Sequence, residues 1–530
     1  MKKRLAILAI LAFSISSKAQ IFQLIGDTAN FGSVYENAPD SILVSLLNTG
    51  VYPVEIDRFV GFPYYGDTVV IGKVNSAIIG AGDTLQFYVK AQPEHNVKHK
   101  GALLLKMKDS PYGSAIIPYK FQGKYSKAYY NATENKTELA LRSQISSIIS
   151  SGTTSLSYNS ARDEMYSDLD NVNGSVSCVY TGRTATFNTR AGATSNSFNC
   201  EHTWPQSLFN ENLPMKSDIH HLFSTDETAN SQRGSLPFGT VSNPSWTVGG
   251  SKKNSSTFEP RDVQKGATAR AMMYFVLRYQ DYSNFFSGQQ TILRQWHEQY
   301  PPSATEISRN NGIYSLQNNR SPFVDYPQFS ERITSLVGST VTPSLAKLHV
   351  GEDTIHLARA TSFSDTLIYT VNLYNYGNTD FSVNNLSLSN VNLQFEGNSG
   401  NNAILSPGQN LAVGIRYPVS MNFSGEEFTF STTVPGMFNV DVPILSSAGI
   451  GLQELAWQPK LKITNTGIYW SEENTHFDWL LLDAVGRVVM KGNSSESDHL
   501  TFDGLAQGVY VFRTESSGSV FSQKISIANR

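Results

Sequence analysis

The sequence is poor in cysteine and in charged side chains. Its 530 residues include two cysteines, Cys178 and Cys200, and only 16% are Asp, Glu, Lys or Arg. Two cysteines cannot supply the four thiolates of a Cys₄ zinc site, which excludes that class of metal centre. The formal net charge is −3, so a protein that coats nucleic acid with a uniformly basic surface is also excluded. With 40% hydrophobic residues, the chain can instead fold into several domains.

Long hydrophobic runs are also rare, and the one at the N-terminus predicts an export signal. A basic segment, residues 2–4, precedes a short apolar stretch over residues 5–15. Residues 17–19 then fit the small-x-small pattern of a cleavage site. Because the stretch is shorter than the ~20 residues that span a bilayer, we expect residues 1–19 to be a signal peptide. The mature protein would be exported without a stable membrane span; a buried N-terminal helix is the alternative.

The two cysteines predict a disulfide bond. In an exported protein an isolated pair more often forms a bridge than stays free. A bond between Cys178 and Cys200 would stabilise the fold by on the order of 3 kcal/mol in the chain-entropy model. Because Cys200 directly precedes Glu201, the bond would also fix the segment around that residue. Two buried thiols are the alternative.

Most of the chain has the turn-punctuated strand pattern of β-rich domains. Short apolar strands separated by turns occupy residues 20–124, and the same order of strand, Asn-x-Gly turn and strand recurs in residues 341–449. Both segments predict immunoglobulin-like β-sandwiches, and they resemble modules appended to surface proteins of gliding and related bacteria. Such modules imply spacing or adhesion rather than chemistry.

A third β-rich module is predicted over residues 452–530. Its strands surround glycine turns and include the sequences GVYVFRT and QKISI. The module resembles a type IX secretion C-terminal sorting domain. That resemblance implies passage through the outer membrane by the type IX secretion machinery, and a secreted or cell-surface location. A further immunoglobulin-like repeat is the alternative interpretation.

The segment over residues 125–338 differs from its neighbours because helical periodicity appears there. Apolar residues at helical spacing predict helices over residues 138–149 and 266–279. A polar, loop-rich stretch between these helices contains three of the ten histidines. The functional site is therefore expected in this segment.

Three residues of this segment have the chemistry of a metal-dependent phosphodiesterase. Such an enzyme needs a neutral histidine that takes a proton from water, and oxygen ligands that hold a hard cation. His202 could supply the base, and Glu201 and Asn230 could supply the oxygens. Since adjacent residues of a strand point to opposite faces, Glu201 and His202 can serve one site only where the strand ends or bends. Pro205 favours a nearby strand end.

A capping-box pattern places Asn230 on a short helix. Ser224 and Glu227 have the spacing of a capping box, and Gly234 is suited to ending a helix. The pattern predicts a helix over residues 225–233. Asparagine is a poor helix former, so a functional role would account for its presence, with an exposed residue of no function as the alternative.

Residues 127–335 resemble bacterial endonuclease I, a family of periplasmic or extracellular nonspecific nucleases with a ββα-metal finger. The order of several motifs along the segment carries the resemblance. These motifs are YTGR (180–183), EHTWPQS (201–207), DIHHL (218–222), ANSQRGSLPF (229–238), PPS (301–303) and NRSPFVDYP (319–327). The resemblance implies a multidomain protein with an α+β nuclease domain over residues 125–338, flanked by the predicted β-sandwiches.

The resemblance also implies a role for each matching position. His202 matches the general base, and Glu201 and Asn230 match the ligands of a Mg²⁺ ion, with Ca²⁺ or Mn²⁺ as alternatives. The products would carry 5′-phosphate and 3′-hydroxyl ends. The family also uses an arginine near the phosphate, for which Arg183 and Arg233 are the candidates. The implied function is a secreted nonspecific endonuclease that hydrolyses extracellular DNA, with RNA left open as a second substrate.

The neighbouring polar residues are expected to have structural roles. Asp218 and His220 are expected to orient the strand that carries His202. His221 is assigned no catalytic role, because family members often have asparagine there. Zinc bound by His202, His220 and His221 is an alternative, although no His-Glu-x-x-His motif and no cysteine cluster supports it.

Local charge favours binding to nucleic acid without sequence specificity. Residues 171–200 and 228–258 contain Arg or Lys but no Asp or Glu, which predicts basic loops beside the site. No helix-turn-helix, zinc-finger or RNA-binding motif is present. A cell-surface adhesion or binding protein with an inactive nuclease fold is the alternative from another class, and a hydrolase of other phosphodiesters is a third. The intact Glu201, His202 and Asn230 favour the nuclease.

Overall fold

A computed structural model describes most of the chain, including all of residues 125–338. The predicted signal peptide, residues 1–19, lies outside the described residues. The described residues are 22–25, 28–50, 52–62, 68–71, 78–108, 112–340, 342–359, 366–448, 461–464, 466–470, 476–483, 487–516 and 519–527. Within these ranges, no helix is both long and apolar enough to cross a membrane.

The chain forms two compact units. One comprises Glu94–Val97 and Gly123–Pro343, and we call it the central unit. The other contains the remaining residues, and we call it the β unit. The central unit therefore interrupts the sequence of the β unit.

The first strands of the chain form two sheets of the β unit. The strands are β1 (Phe22–Ile25), β2 (Ala29–Tyr35), β3 (Asp40–Asn48), β4 (Val54–Gly61), β5 (Thr68–Ile71), β6 (Ile78–Ile79), β7 (Thr84–Gln92), β8 (Lys98–Lys108) and β9 (Ala115–Lys124). One sheet has the order β1-β3-β7-β5 and the other β2-β9-β8-β4-β6. Burial alternates along these strands, since Val44 and Leu46 of β3 are buried and their neighbours are more exposed.

The central unit combines helices with short strands. Its helices are α1 (Glu138–Ser150), α2 (Tyr158–Glu164), α3 (Arg190–Ser195), α4 (Glu227–Arg233), α5 (Asp262–Arg278), α6 (Gln290–Gln299), α7 (Ala304–Gln317) and α8 (Pro322–Asp325). Its strands are β10 (Asn171–Val172), β11 (Ser175–Ser177), β12 (Thr184–Thr186), β13 (Phe198–His202), β14 (Leu222–Asp226), β15 (Trp246–Val248), β16 (Ser251–Lys253) and β17 (Phe258–Glu259). They form the sheets β10-β11-β12, β13-β14 and β15-β16-β17.

Helix α5 runs through the core of the central unit. All residues from Thr268 to Leu277 are buried, as expected for a helix surrounded by protein on every side. Gly266 allows a close approach, because a Cβ there would lie 2.2 Å from the carbonyl oxygen of Tyr300. Both helices predicted from periodicity are present, although α5 begins earlier than predicted, at Asp262.

The strands after the central unit return to the β unit and form two more sheets. They are β18 (Leu348–Val350), β19 (Ile355–Arg359), β20 (Thr366–Asn375), β21 (Phe381–Leu388), β22 (Gln394–Phe395), β23 (Ala403–Leu405), β24 (Asn410–Pro418), β25 (Ser424–Thr432) and β26 (Asn439–Ala448). The sheet orders are β18-β20-β24-β22 and β19-β26-β25-β21-β23.

Two segments that are distant in sequence share one apolar core within the β unit. Leu105 and Tyr112 of the first segment belong to the same buried cluster as Val371 of the second. The backbone N–H of Thr370 donates to the carbonyl oxygen of Tyr112 at 3.0 Å, and Lys106 forms a 2.9 Å ion pair with Glu352. The two predicted sandwich segments therefore pack as one body, and their immunoglobulin-like topology stays a prediction.

The last strands form two small sheets with an aromatic core. They are β27 (Leu461–Ile463), β28 (Gly467–Trp470), β29 (Asp478–Leu482), β30 (Val488–Asn493), β31 (His499–Thr501), β32 (Gly508–Ser516) and β33 (Ser519–Ile527). The sheet orders are β27-β28-β31 and β30-β29-β32-β33. Trp470, Trp479 and Phe512 pack together in a buried cluster of their own. The role of this segment as a sorting domain stays a prediction.

The predicted disulfide is wrong, because the two thiols lie at different edges of β14. Cys200 is on β13, where it pairs with Ser224 of β14. Cys178 lies beside the other edge, at which the N–H of Val179 donates to the carbonyl oxygen of Ser224 at 3.0 Å. The Cys178 sulfur accepts a hydrogen bond from the N–H of Asp226 at 3.1 Å. Both cysteines are buried and free.

We expect both thiols to remain reduced in the native protein. Burial raises the pKa of the Cys200 thiol to about 12, so little reactive thiolate exists at neutral pH. A thiol reagent should titrate both Cys178 and Cys200 after unfolding without reductant, and a reducing agent should leave the melting temperature unchanged. An unfolded chain with no titratable thiol would contradict this arrangement.

Candidate active site

Strands β13 and β14 and helix α4 form a ββα unit, with residues 203–221 between the two strands. The strands are antiparallel, with His202 opposite Leu222 and Glu201 opposite Phe223. Helix α4, which carries Asn230, follows β14 directly. Strand β13 ends at His202, as the nearby proline predicts. The three residues predicted to act together therefore lie on adjoining elements.

Helix α4 begins later than the capping-box pattern predicts. Ser224 lies within β14, and the helix begins at Glu227. The Ser224 hydroxyl donates to Oδ2 of Asp170 at 2.8 Å and caps no helix. Strand pairing therefore overrides the local capping signal. The predicted end is confirmed, since Gly234 follows the helix with a φ of +53°, a conformation that favours glycine.

Glu201 is buried and held by two partners. One of its carboxylate oxygens, Oε1, accepts a hydrogen bond from the Tyr180 hydroxyl at 2.7 Å and lies 3.3 Å from Nε of Arg233. Burial raises the pKa of Glu201, and the Arg233 charge and the Tyr180 hydrogen bond oppose that rise. No residue in the described part of the chain donates to Oε2. That oxygen can therefore serve another ligand.

Arg233 lies beneath this site, where only 1% of its side chain is exposed. Its guanidinium donates to the carbonyl oxygens of His202 at 3.3 Å and Gly234 at 2.9 Å, and to that of Thr203. It also lies 4.7 Å from the ring centre of Phe238. Arg233 thus fixes the backbone around His202 and is inaccessible from solvent in this structure.

His202 is held in one orientation by a backbone carbonyl. Its Nε2 lies 3.1 Å from the carbonyl oxygen of Lys216. Because a carbonyl only accepts, Nε2 carries the proton and Nδ1 holds the lone pair. Burial lowers the pKa of His202 to about 3, with a further contribution from the neighbouring His221. The imidazole is therefore neutral at neutral pH and can accept a proton at Nδ1.

Asn230 is oriented by strand β13. Its Nδ2 donates to Oδ1 of Asn199 at 2.8 Å and to the carbonyl oxygen of Cys200 at 3.2 Å. Among the described residues, none donates to Oδ1 of Asn230. A carboxylate oxygen of Glu201 and this amide oxygen are both donors that hard cations prefer, so the residues present fit a Mg²⁺-type ion.

The histidines of this region are fixed by separate backbone groups. Nε2 of His220 bonds to the carbonyl oxygen of Asn319 at 3.2 Å, and Nε2 of His221 to that of Met215 at 2.7 Å. Burial lowers the pKa of His220 to about 4. Over the described ranges, no group of three or more His, Cys, Asp or Glu side chains is arranged to hold a metal ion. The zinc alternative has no support in this geometry.

Asp218 anchors the loop before β14 to the helical core. Its buried carboxylate accepts hydrogen bonds from Arg278 at 2.6 Å, from Tyr274 and Tyr279 at 2.9 Å each, and from Gln317 at 2.8 Å. Burial alone would raise the pKa of Asp218, but the Arg278 charge and these donors hold it well below its usual range. The expected orienting role of Asp218 stays a prediction that this network favours.

Arg183 is also engaged within the protein. Its guanidinium pairs with the carboxylate of Asp226 and donates to the carbonyl oxygen of Asn196 at 2.9 Å. The same group lies 4.3 Å from the ring centre of Phe198. Arg183 thus braces the ends of the two strands. Its proposed contact with phosphate stays a prediction.

One aromatic ring beside His202, and two cations that contact this ring, were not predicted from sequence. The ring of Tyr158 lies 5.5 Å from that of His202. The ammonium of Lys216 lies 5.3 Å from the Tyr158 ring centre, and the guanidinium of Arg162 lies 4.3 Å from it. Helix α2 brings Tyr158 and Arg162 there from far upstream, so only the fold reveals them. Tyr180, within the motif at 180–183, could have been noted from that motif.

We expect Asp218→Asn to destabilise the protein by about 3–5 kcal/mol, because it leaves the buried Arg278 charge without its partner. Chemical denaturation at neutral pH measures the loss. Since the folded-state pKa is lowered, the carboxylate contributes stability above the unfolded pKa of about 4, and this contribution is lost as the pH falls below it. The variant should therefore lose less stability than wild type upon acidification. Glu298→Gln, at an exposed position, is the control. If it lowered the free energy of unfolding at neutral pH as much as Asp218→Asn does, the assignment would be contradicted.

Comparison with known proteins assigns the central unit to a nuclease family. The Endonuclease I family model matches residues 127–328. An extracellular ribonuclease of Bacillus subtilis (strain 168) is 32% identical over 226 residues, which cover 39% of this chain and 77% of the relative. An extracellular deoxyribonuclease of Aeromonas hydrophila is 27% identical over 116 residues, which cover 21% of this chain and 50% of the relative. With its ββα unit and its match to extracellular nucleases, the chain belongs to the endonuclease I family.

Proposed function

We propose that this protein is a secreted, Mg²⁺-dependent endonuclease that cleaves extracellular DNA, and RNA as a second substrate, without sequence specificity. One observation carries the proposal: a neutral histidine, His202, with its lone pair at Nδ1 ends the first strand of the ββα unit that also carries Glu201 and Asn230. The similar proteins include both a ribonuclease and deoxyribonucleases, which supports activity on either polymer.

His202 acts as the general base. The Lys216 carbonyl holds the ring through Nε2, so Nδ1 is the atom that takes a proton from the attacking water. The buried imidazole is a weak base in the free protein. A phosphate bound beside it favours the protonated form and raises its pKa, so proton transfer is coupled to substrate binding.

Glu201 and Asn230 would hold the cation through Oε2 and Oδ1, with Ca²⁺ or Mn²⁺ as alternatives to Mg²⁺. When bound, the cation neutralises charge at the phosphate and at the leaving oxygen. Tyr180 and Arg233 fix the other carboxylate oxygen of Glu201. Both ligand side chains are thus oriented by neighbours before any ion binds, which reduces the cost of binding.

We expect His202→Ala to lower the cleavage rate by about 10²- to 10⁴-fold, because it removes the proton acceptor. Plasmid nicking with Mg²⁺ and with EDTA measures the effect, and circular dichroism checks the fold. The control His499→Ala changes a histidine of the last β segment and should retain wild-type activity. Undiminished cleavage by the pure His202 variant would exclude it as the base.

Lys216 and Arg162 are the cations that we propose contact the substrate backbone. They flank the Tyr158 ring beside His202, whereas Arg183 is paired with a carboxylate and Arg233 is buried. Lys216 is partly exposed and pairs with Glu211 at the surface. A surface pair of this kind is weak, so a phosphate can compete for the lysine.

We expect Lys216→Ala to raise KM while leaving kcat close to wild type, because the variant keeps the backbone carbonyl that orients His202. The slope of the logarithm of the binding constant against the logarithm of the salt concentration should become shallower by about one, the contribution of one phosphate contact. Steady-state kinetics at several salt concentrations, with Lys462→Ala as the control, tests this expectation. A fall in kcat at unchanged KM would instead indicate that the side chain positions the base.

We also propose that residues 1–19 direct export and that residues 452–530 direct passage through the outer membrane by the type IX secretion machinery. The names of the relatives, which are extracellular or periplasmic nucleases, support an exported location. Extracellular nucleic acid would then be the accessible substrate.

A further inference from the structure

A groove of about 210 Å³ opens on the β unit, at the turn that follows β20. The rings of Phe62, Tyr374 and Tyr376 line it, and Lys98 and Lys100 of β8 form part of its wall. No carboxylate is among its lining residues. The groove therefore combines aromatic surface with positive charge, and it lies wholly within the β unit.

In the aromatic wall the rings pack against one another, and Tyr376 is its exposed member. Phe62 lies 5.3 Å from Tyr374 and 5.7 Å from Tyr376, measured between ring centres. Phe62 and Tyr374 are buried, whereas Tyr376 is 37% exposed. The turn is fixed by Asn375, whose Oδ1 accepts a hydrogen bond from the N–H of Gly377 at 2.8 Å. An exposed ring that is supported by buried rings and a fixed turn is suited to stacking with a planar ligand.

Two lysines of this surface, Lys100 and Lys120, lie opposite each other on neighbouring strands. The two side chains therefore leave the same face of the sheet. Both are exposed, and no carboxylate of the described ranges lies within ion-pair distance of either. Like charges at opposite positions destabilise a sheet, and a bound anion would relieve this repulsion. The Lys347 ammonium, 5.6 Å from the Tyr376 ring centre, adds a third cation.

We propose that this groove binds single-stranded nucleic acid. A base stacks on Tyr376, and phosphates on either side contact Lys100, Lys120 and Lys347. Stacking on one ring and contacts to the backbone make the binding tolerant of sequence. The site uses none of the residues proposed for catalysis. The β unit would thus retain the polymer independently of the cleavage step.

Fluorescence anisotropy with a short labelled oligothymidylate tests the proposal. The full chain carries His202→Ala, in EDTA, so that the probe stays intact. Lys100→Glu with Lys120→Glu should weaken binding by about tenfold or more, because two phosphate contacts become repulsive. Lys90→Glu with Lys462→Glu makes the same charge change elsewhere in the β unit and should alter the affinity by less than about twofold. Equal affinities for the two double variants would overturn the proposal.

A second pair of variants separates stacking from simple attraction of anions. Tyr376→Phe keeps the ring and should retain binding, whereas Tyr376→Ala should weaken it several-fold. If the two Tyr376 variants bind equally and inorganic phosphate competes as strongly as unlabelled oligonucleotide, the groove is a plain anion site. That result would overturn the assignment. Cleavage of a dinucleotide by the Lys100→Glu, Lys120→Glu chain with His202 intact should proceed at the wild-type rate. Loss of catalysis and loss of this binding site are therefore measured separately.

Discussion

The candidate active site depends on a buried guanidinium. Arg233 lies 3.3 Å from the Glu201 carboxylate and donates to the backbone carbonyls of His202, Thr203 and Gly234. One side chain thereby ties the end of β13 to the end of α4. Removing it would leave a buried carboxylate unpaired and several carbonyls without donors, a combination that costs far more than a surface ion pair contributes. The carboxylate of one proposed ligand and the backbone of the proposed base are thus held by the same side chain.

Much of the site was predictable from sequence, because its proposed chemistry lies in short motifs. Glu201 and His202 are adjacent, Asn230 lies on a helix that Gly234 ends, and the structure brings all three onto one ββα unit. Local patterns failed where tertiary contacts prevailed. Ser224 has the spacing of a helix cap, yet pairing of β14 with β13 and a hydrogen bond to Asp170 keep it in a strand.

The other features that were not predicted from sequence are also set by tertiary contacts. Sequence spacing could not reveal that β14 separates the two cysteines, or that Asp226 and buried carbonyls engage the two candidate arginines. Strand patterns in the flanking segments predicted where strands form, since alternation is a local property. They carried no information that residues such as Leu105 and Val371, more than 200 positions apart, belong to one core. Long-range packing of this kind is visible only in three dimensions.

The shared core of the β unit has a consequence for how the chain is assembled. The polypeptide leaves the β unit at Gln122 and returns at Ser344, so the nuclease is an insertion held by its host at both ends. During synthesis the central unit emerges before the strands that complete the core of the β unit. A ribosome-bound intermediate would therefore carry the folded central unit before the core of the β unit is complete. The face of β8 that bears Ala102 and Leu104 would stay exposed until Tyr374 is made. If the chain were cut once inside the insertion, both fragments would stay attached to the β unit, because each contributes residues to its core.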